Sequence, residues 1–182
     1  MEKYRGKYRI PSARAGWWDY SADGSYFITI CTAGHECLLG EIINYKMILS
    51  DIGRIVQEEW DKSFELRKEL YCDAFVIMPN HIHAVLFINN PDYNKLSGFI
   101  PYRTDAVVRM PQSISTFVGG FKAAVTTRLK QQPHLLDGRK SIWQTRFHDH
   151  IIRNEKEYKR IVDYINNNPY KWTDDRYFPT PP

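Results

Sequence analysis

Apolar residues recur with a helical period in three parts of the chain. Ser50 comes just before the first of them and is a suitable N-cap, because its hydroxyl can accept a hydrogen bond from the first helical turn. Asn154 comes just before the third, and Glu157 follows it at the spacing of a capping box. The pattern predicts three helices, over 51–70, 113–132 and 154–168.

Runs rich in β-branched and aromatic residues precede and separate these helices. They predict five strands, over 26–31, 37–43, 74–78, 81–88 and 141–152. The first two strands are expected to form a hairpin, and Pro79-Asn80 either separates the third from the fourth or marks a bend. Strands mixed with few helices indicate an α+β fold, in which an antiparallel sheet has helices on one face and leaves the other face to a ligand.

His81 and His83 stand in the most apolar of the predicted strands. Side chains alternate along a strand, so both imidazoles share one face and Ile82 points to the other. The apolar residues expected beside them on that face are Ile77, Val85 and Phe87. Two adjacent imidazoles make half of a metal site, although a locally hydrogen-bonded pair is the commoner alternative for this spacing.

The third predicted helix carries Tyr164 and Asn168 four residues apart, which places them on one side of the helix. If this helix packs beside the histidine strand, Asn168 can supply a third metal ligand and Tyr164 lies one turn away. A metal at such a site can act as a Lewis acid on a phosphodiester, which a tyrosine can then attack. The plainer alternatives are an aromatic residue at the core edge and a residue that ends a helix before proline.

Composition is that of a globular protein with one domain, 43% hydrophobic and 25% charged. The predicted organisation is a single catalytic domain over 1–182, with a basic arm over about 1–22 and a loose tail over about 173–182. No apolar run is long enough to cross a bilayer and no signal peptide is evident, so the expected compartment is the cytoplasm, with no membrane partner. Three cysteines without zinc spacing fit reduced thiols.

Basic residues are concentrated in the first segment and in the second half of the chain. The net charge is +4, and aromatic residues make up 14% of the sequence. Cations among aromatic rings suit single-stranded nucleic acid, whose phosphates meet the cations and whose bases stack on the rings. A solvated basic face is the alternative. The candidate DNA contacts are Arg14, Lys122, Arg128 and Arg146.

Five ordered motifs carry a family resemblance. They are Met78-Pro-Asn-His-Ile-His83, the stretch from Asp19 to Cys31, Phe121-Lys122, Ile142-Trp-Gln144 with Ile151-Ile-Arg153, and Tyr164-Ile-Asn-Asn-Asn-Pro169 followed by Lys171-Trp172. Together they make the chain resemble the REP-associated tyrosine transposases, a branch of the single-tyrosine HUH transposases, whose name denotes His, hydrophobic residue, His. The matching segments run from about residue 19 to 175.

The resemblance implies a ferredoxin-like or RRM-like antiparallel sheet, with Mg²⁺ or Mn²⁺ at His81 and His83. It places Asn168 where insertion-sequence relatives carry a glutamine ligand, and it makes Tyr164 the nucleophile that forms a 5′-phosphotyrosine link. The implied substrate is single-stranded DNA with hairpins from repetitive extragenic palindromes (REPs), cleaved and rejoined by a monomer or a homodimer.

Three other functions remain open from the sequence. The chain could be a domesticated DNA-binding protein that no longer cleaves, or a sheet-based RNA-binding module, although the central strand displays histidines where such modules display aromatic residues. It could also be a rolling-circle replication initiator, which would usually be longer. A second His-x-His pair, His148 and His150, has polar flanks and is expected to have a structural or DNA-contact role.

Overall fold

The computed structural model of the chain describes residues 23–89 and 112–179, together with the backbone of two short paired strands, β1 (Lys3–Tyr4) and β2 (Lys7–Tyr8). The rest of the predicted basic arm, including Arg14, and residues 90–111 lie outside the described residues.

The remaining elements follow in chain order. They are β3 (Gly24–Cys31), β4 (Gly40–Ile43), β5 (Lys46–Leu49), α1 (Asp51–Leu66), β6 (Leu70–Met78), β7 (His81–Ile88), α2 (Ile114–Lys130), α3 (Pro133–Leu136), β8 (His148–Ile152) and α4 (Glu155–Asn167). Two 3₁₀ turns, Ala33–His35 and Pro169–Asp174, complete the list.

Four strands form the main sheet in the order β6-β7-β3-β8, and every neighbouring pair is antiparallel. Helices α1 and α2 bury their apolar residues against one face, where Trp60 stacks on Phe75 with ring centroids 4.4 Å apart. Helix α4 packs its own apolar residues on the opposite face. The predicted α+β class and antiparallel sheet are therefore confirmed, but helices cover both faces instead of one, because α4 buries its apolar stripe on the histidine side.

Two details of strand pairing differ from the prediction. The second strand does not form a hairpin with the first, since β4 pairs with β5 in a separate two-stranded sheet. Ile77 lies opposite Ile82 across the two-residue turn between β6 and β7, so it faces α1 and α2 and not the histidines. The register of that turn, and not continuous alternation, decides which side of the sheet Ile77 occupies.

The predicted caps of α1 and α4 are present. Ser50 accepts a hydrogen bond from the backbone N–H of Gly53 at 3.0 Å, and Asn154 accepts one from Glu157 at 2.9 Å. The strand predicted over 141–152 is shorter than expected, because only its second half pairs with β3 and Trp143 makes an isolated bridge to Thr32. Among the described residues, no helix combines the length and the apolar character needed to cross a membrane.

Replacing Ser50 with alanine should lower the free energy of unfolding by about 1–2 kcal/mol. The change removes the cap of α1 and also the donor to the carbonyl oxygen of Leu38, 2.7 Å away. Urea denaturation monitored by circular dichroism measures the effect. Ser63→Ala is the matched control, because Ser63 lies inside the same helix, where alanine is the better helix former. A Ser50→Ala midpoint equal to that of the unaltered protein would refute the cap assignment.

Candidate active site

The turn between β6 and β7 fixes the ring of His81. Asn80 is fully buried in this turn, and its amide nitrogen donates to the carbonyl oxygens of His35 at 2.9 Å and Tyr177 at 2.7 Å. Its amide oxygen lies 2.8 Å from Nδ1 of His81. An amide oxygen only accepts hydrogen bonds, so Nδ1 carries the proton and Nε2 of His81 presents a lone pair to the site.

His83 lies two residues further along β7, with its ring centroid 4.4 Å from that of His81. Its Nδ1 is 2.9 Å from the hydroxyl of Thr29, which stands directly opposite on β3. Burial lowers the pKa of each imidazole to about 3, and the neighbouring charge of His81 adds to the shift at His83. Both rings are therefore neutral at neutral pH, which is the form of histidine that binds metals.

Helix α4 brings Tyr164 to this pair. Ile161 and Ile165 are buried against Ala74 and Val85, so the helix packs on the same face of the sheet as the two rings. The hydroxyl of Tyr164 is 3.1 Å from Nε2 of His83, and the side chain remains accessible, with the residue 40% exposed. Burial, followed by the carboxylate of Asp175, raises the pKa of Tyr164 to about 12, so the hydroxyl is protonated at neutral pH.

Asp175 links the two predicted residues of α4. Its Oδ2 accepts hydrogen bonds from the hydroxyl of Tyr164 at 3.1 Å and from the amide nitrogen of Asn168 at 3.0 Å. Its Oδ1 accepts one from the backbone N–H of Tyr177 at 2.7 Å. The sequence pattern predicts a loose tail from about residue 173, but residues 175–177 instead pack on the site, because the 3₁₀ turn Pro169–Asp174 folds the chain back from the end of α4.

The predicted metal ligands lie together, and Asp175 joins them. Ligand atoms of His81, His83 and Asp175 all lie within 4.8 Å of one another, so this group could bind a metal ion. Asn168 is 2% exposed, and its Oδ1 is buried without a hydrogen-bond partner, as is Nε2 of His81. Two buried acceptors without donors are costly in a folded protein, and a cation between them would satisfy both. The donor set of imidazole, carboxylate and amide oxygen therefore fits a divalent metal.

Sequence reasoning missed Asp175. The residue lies eleven positions after Tyr164 and beyond Pro169, so no helical or strand period connects it to the site. Its place shortly after the Lys171-Trp172 motif is the only local signal that could have pointed to it.

Two of the predicted DNA contacts lie near the edge of the site, and one of them serves a structural purpose. Lys122 donates its ammonium hydrogens to the carbonyl oxygens of Gln144 at 2.8 Å and Arg146 at 3.2 Å. Burial lowers the pKa of Lys122 to about 8. The lysine therefore holds the segment that carries Arg146, whose own side chain is exposed.

Arg128 lies away from the histidine face. Its guanidinium pairs with Glu58 at 2.6 Å and with Glu59 at 3.2 Å, and thereby joins α2 to α1 on the other side of the sheet. These carboxylates neutralise the cation that we expected to face DNA.

The second His-x-His pair lies on β8 and faces the same side of the sheet as His83. His150 pairs with Glu157 at 2.8 Å between Nε2 and the carboxylate. His148 stands opposite Thr29 across β3 and β8. In the part of the chain that the structure describes, neither histidine belongs to a metal-binding group.

No family model matches the chain, but the chain is similar to several known proteins in sequence and in fold. An uncharacterized protein of Haemophilus influenzae is 36% identical over 169 residues, which is 92% of each chain. A protein of Escherichia coli K12 named REP-associated tyrosine transposase is 26% identical over 152 residues, covering 84% of this chain and 70% of the relative. A solved structure of a REP-associated tyrosine transposase bound to a REP hairpin aligns with a TM-score of 0.58 at 23% identity, over 87% of this chain and 74% of that one.

Proposed function

This chain belongs to the family of REP-associated tyrosine transposases, and we propose that it cleaves and rejoins hairpin-bearing single-stranded DNA through a covalent link to Tyr164. One observation carries the proposal: an accessible tyrosine hydroxyl lies 3.1 Å from a neutral, buried histidine of a group that could bind a metal. A tyrosine packed only at the edge of a core needs no such neighbours.

His81, His83 and Asp175, with the amide oxygen of Asn168, would hold the metal, and we take it to be Mg²⁺ or Mn²⁺. When bound, such an ion would polarise a phosphate oxygen and stabilise the charge that develops on it. The hydrogen bond from His81 to Asn80 and the contact between His83 and Thr29 orient both imidazoles from behind. Partners of this kind fix the tautomer and direction of metal-binding histidines.

The chain's own residues supply the nucleophile and direct its proton. Oη of Tyr164 attacks the phosphorus, the bond from phosphorus to the 3′ oxygen breaks, and the products are a 5′-phosphotyrosine and a free 3′-hydroxyl. The hydroxyl of Tyr164 donates to Oδ2 of Asp175, 3.1 Å away, and this carboxylate is the acceptor for the phenolic proton. Nε2 of His83 is also 3.1 Å from the hydroxyl, but its lone pair would be taken by the metal. A proton is returned to the 3′ oxygen as it leaves. Attack by a 3′-hydroxyl on the phosphotyrosine reverses the step and rejoins a strand without ATP.

Two relatives suggest the DNA substrate. The E. coli relative carries the name REP-associated tyrosine transposase, and the aligned structure holds a REP hairpin. We therefore propose a hairpin followed or preceded by single-stranded DNA as the substrate, because Tyr164 is exposed enough to meet an unpaired strand.

An end-labelled single strand with a palindromic hairpin tests the proposal. The purified protein is incubated with the strand and Mn²⁺ or Mg²⁺, and the products are separated on a denaturing protein gel. We expect a labelled band at the mass of the protein, dependent on the metal. A shift of the same DNA on a native gel without any covalent band would instead identify a DNA-binding protein that does not cleave.

Asn80→Ala should weaken Mn²⁺ binding by about 10- to 100-fold while leaving all proposed ligands in place. The change removes the acceptor that fixes the proton on Nδ1 of His81, along with two hydrogen bonds to the backbone. Isothermal titration calorimetry measures the affinity. Asn166→Ala, an exposed change on α4, is the control. Equal affinity in the two variants would contradict a role for Asn80 in orienting His81.

A further inference from the structure

Two sequence motifs that the proposed chemistry does not use meet beside the active site. Phe121 of α2 contacts Trp143 with ring centroids 5.8 Å apart, and Lys122 binds the carbonyl oxygens of Gln144 and Arg146. The segment from Ile142 to Gln144 is also tied to the end of β3. The backbone hydrogen bonds run from Ala33 to Ile142 at 2.8 Å and from Gln144 to Cys31 at 3.0 Å. Both motifs therefore fix one short segment in place.

The end of this segment, Gln144, and the residues that follow it, Arg146 and Phe147, form one wall of a pocket of about 240 Å³. The opposite wall is shared with the active site: Thr29 contacts His83, and the ring centroid of Tyr177 is 4.7 Å from that of His81. The pocket and the proposed metal group are thus neighbours on the same face of the sheet.

The pocket lining combines cations, rings and one amide. Arg146 and Arg176 supply guanidinium groups, and Arg176 lies over the ring of Tyr177 at 4.7 Å. His35 stacks on Tyr177, with ring centroids 5.2 Å apart, and its Nε2 lies 2.9 Å from the amide nitrogen of Gln144. That contact uses the amide nitrogen of Gln144, so the amide oxygen can still accept a hydrogen bond from a base.

We propose that this pocket binds one unpaired nucleotide next to the scissile phosphate. The base would lie against the rings of His35 and Tyr177 and beside the amide of Gln144. The phosphate of this nucleotide would face Arg146 and Arg176. The inference rests on the proposed function for the identity of the neighbouring phosphate. The volume of the pocket, about 240 Å³, is below the roughly 300–1,000 Å³ of sites for drug-sized ligands, and this size suits a single base. Rings that stack on a base and cations that meet its phosphate are the two components of single-strand recognition.

The hydrogen bonds of the pocket explain why the two motifs accompany the catalytic residues. A base that stacks in the pocket would fix the position of the adjacent phosphate relative to Tyr164, since Tyr177 contacts both the pocket and His81. Lys122 contributes by holding the wall and not by touching DNA, because its ammonium already donates to two carbonyl oxygens of that wall.

Binding of abasic DNA tests the pocket separately from cleavage. Fluorescence anisotropy measures the affinity of Tyr164→Phe protein, which leaves the strand intact, for a hairpin strand with one base removed at each position in turn. We expect removal of one base beside the cleavage position to weaken binding by about 5- to 100-fold, the range for loss of base stacking on protein rings.

Variants of the wall then locate that base. The abasic penalty is the factor by which removal of the base weakens binding. In the Tyr164→Phe background, Gln144→Ala should reduce this penalty by about 2- to 10-fold, because one hydrogen bond to the base is lost. Gln57→Ala, on the opposite face of the sheet, is the control and should leave the penalty unchanged. Arg146→Ala should weaken binding of intact and abasic strands alike and lower the salt dependence by about one phosphate contact, with Arg54→Ala as control.

The outcomes separate the two proposals. If removal of a base weakens binding at no position, or if Gln144→Ala leaves the abasic penalty unchanged, the pocket does not bind a nucleotide as proposed. This conclusion would hold even if the unaltered protein forms a covalent product. A penalty that depends on Gln144 supports the pocket even if no covalent product forms, in which case only the proposed chemistry fails.

Discussion

Tyr164→Phe should abolish the covalent protein–DNA product and leave hairpin binding within about twofold of the unaltered protein. The substitution removes only the hydroxyl, which is the proposed nucleophile and which contacts His83 and Asp175. The ring remains and keeps its packing beside Phe27, at a centroid distance of 6.3 Å. Tyr177 also lies beside the histidines, with its ring centroid 4.7 Å from that of His81. Among the described residues, however, the tyrosine hydroxyl hydrogen-bonded to this histidine pair is that of Tyr164, so no residual product is expected.

Tyr158→Phe is the matched control for this experiment. Tyr158 lies on the same helix, and its hydroxyl donates to Asp73 on β6 instead of reaching the histidines. The control should form the covalent product at an unchanged rate. A Tyr164→Phe protein that still forms the product would contradict the assignment of the nucleophile, and loss of DNA binding in that variant would point to a role for the hydroxyl in holding the fold.

His81→Ala should remove both metal binding and covalent product formation. Its Nε2 is a buried acceptor without a partner, and the neutral state of the ring at neutral pH leaves its lone pair available. Loss of a direct ligand should weaken Mn²⁺ binding by more than the roughly 10- to 100-fold expected for a residue that only orients a ligand. Calorimetry with Mn²⁺ and the denaturing gel with labelled DNA measure the two effects.

His134→Ala controls for general loss of a histidine, because His134 is exposed on the short helix α3, outside the proposed metal group. Native-gel binding of the hairpin strand should survive in both variants, since the proposed ion acts at the scissile phosphate. If His81→Ala binds Mn²⁺ as tightly as the control, His81 does not hold the metal and the buried pair has a structural role.

Local periodicity was enough to predict the central parts of the site. Alternation along β7 places His81 and His83 on one face, and the four-residue spacing on α4 places Tyr164 and Asn168 on one side of that helix. Both patterns depend on residues close in sequence, and the structure joins them because the apolar stripe of α4 packs on the histidine face. The family resemblance added the roles of these residues, which no spacing could supply.

The parts that the sequence did not reveal depend on contacts between distant segments. Asp175 reaches Tyr164 only because a 3₁₀ turn reverses the chain after α4. The orientation of Ile77 follows from the strand register across a two-residue turn. Lys122 binds a backbone carbonyl oxygen and Arg128 binds a carboxylate, and both partners lie more than twenty residues away in the sequence. Composition counts such cations as available to DNA, but only the fold shows what they contact.

Covalent attachment of Tyr164 to the 5′ end of a cleaved strand is the step that defines the proposed function. The most direct measurement is peptide mapping by mass spectrometry of the adduct formed by the unaltered protein, Mn²⁺ and a short hairpin strand, after the DNA is trimmed to a nucleotide remnant. We expect a nucleotide mass on the peptide containing Tyr164 and on no other tyrosine peptide. A remnant on a different tyrosine, or a cleaved strand without any modified peptide, would contradict it.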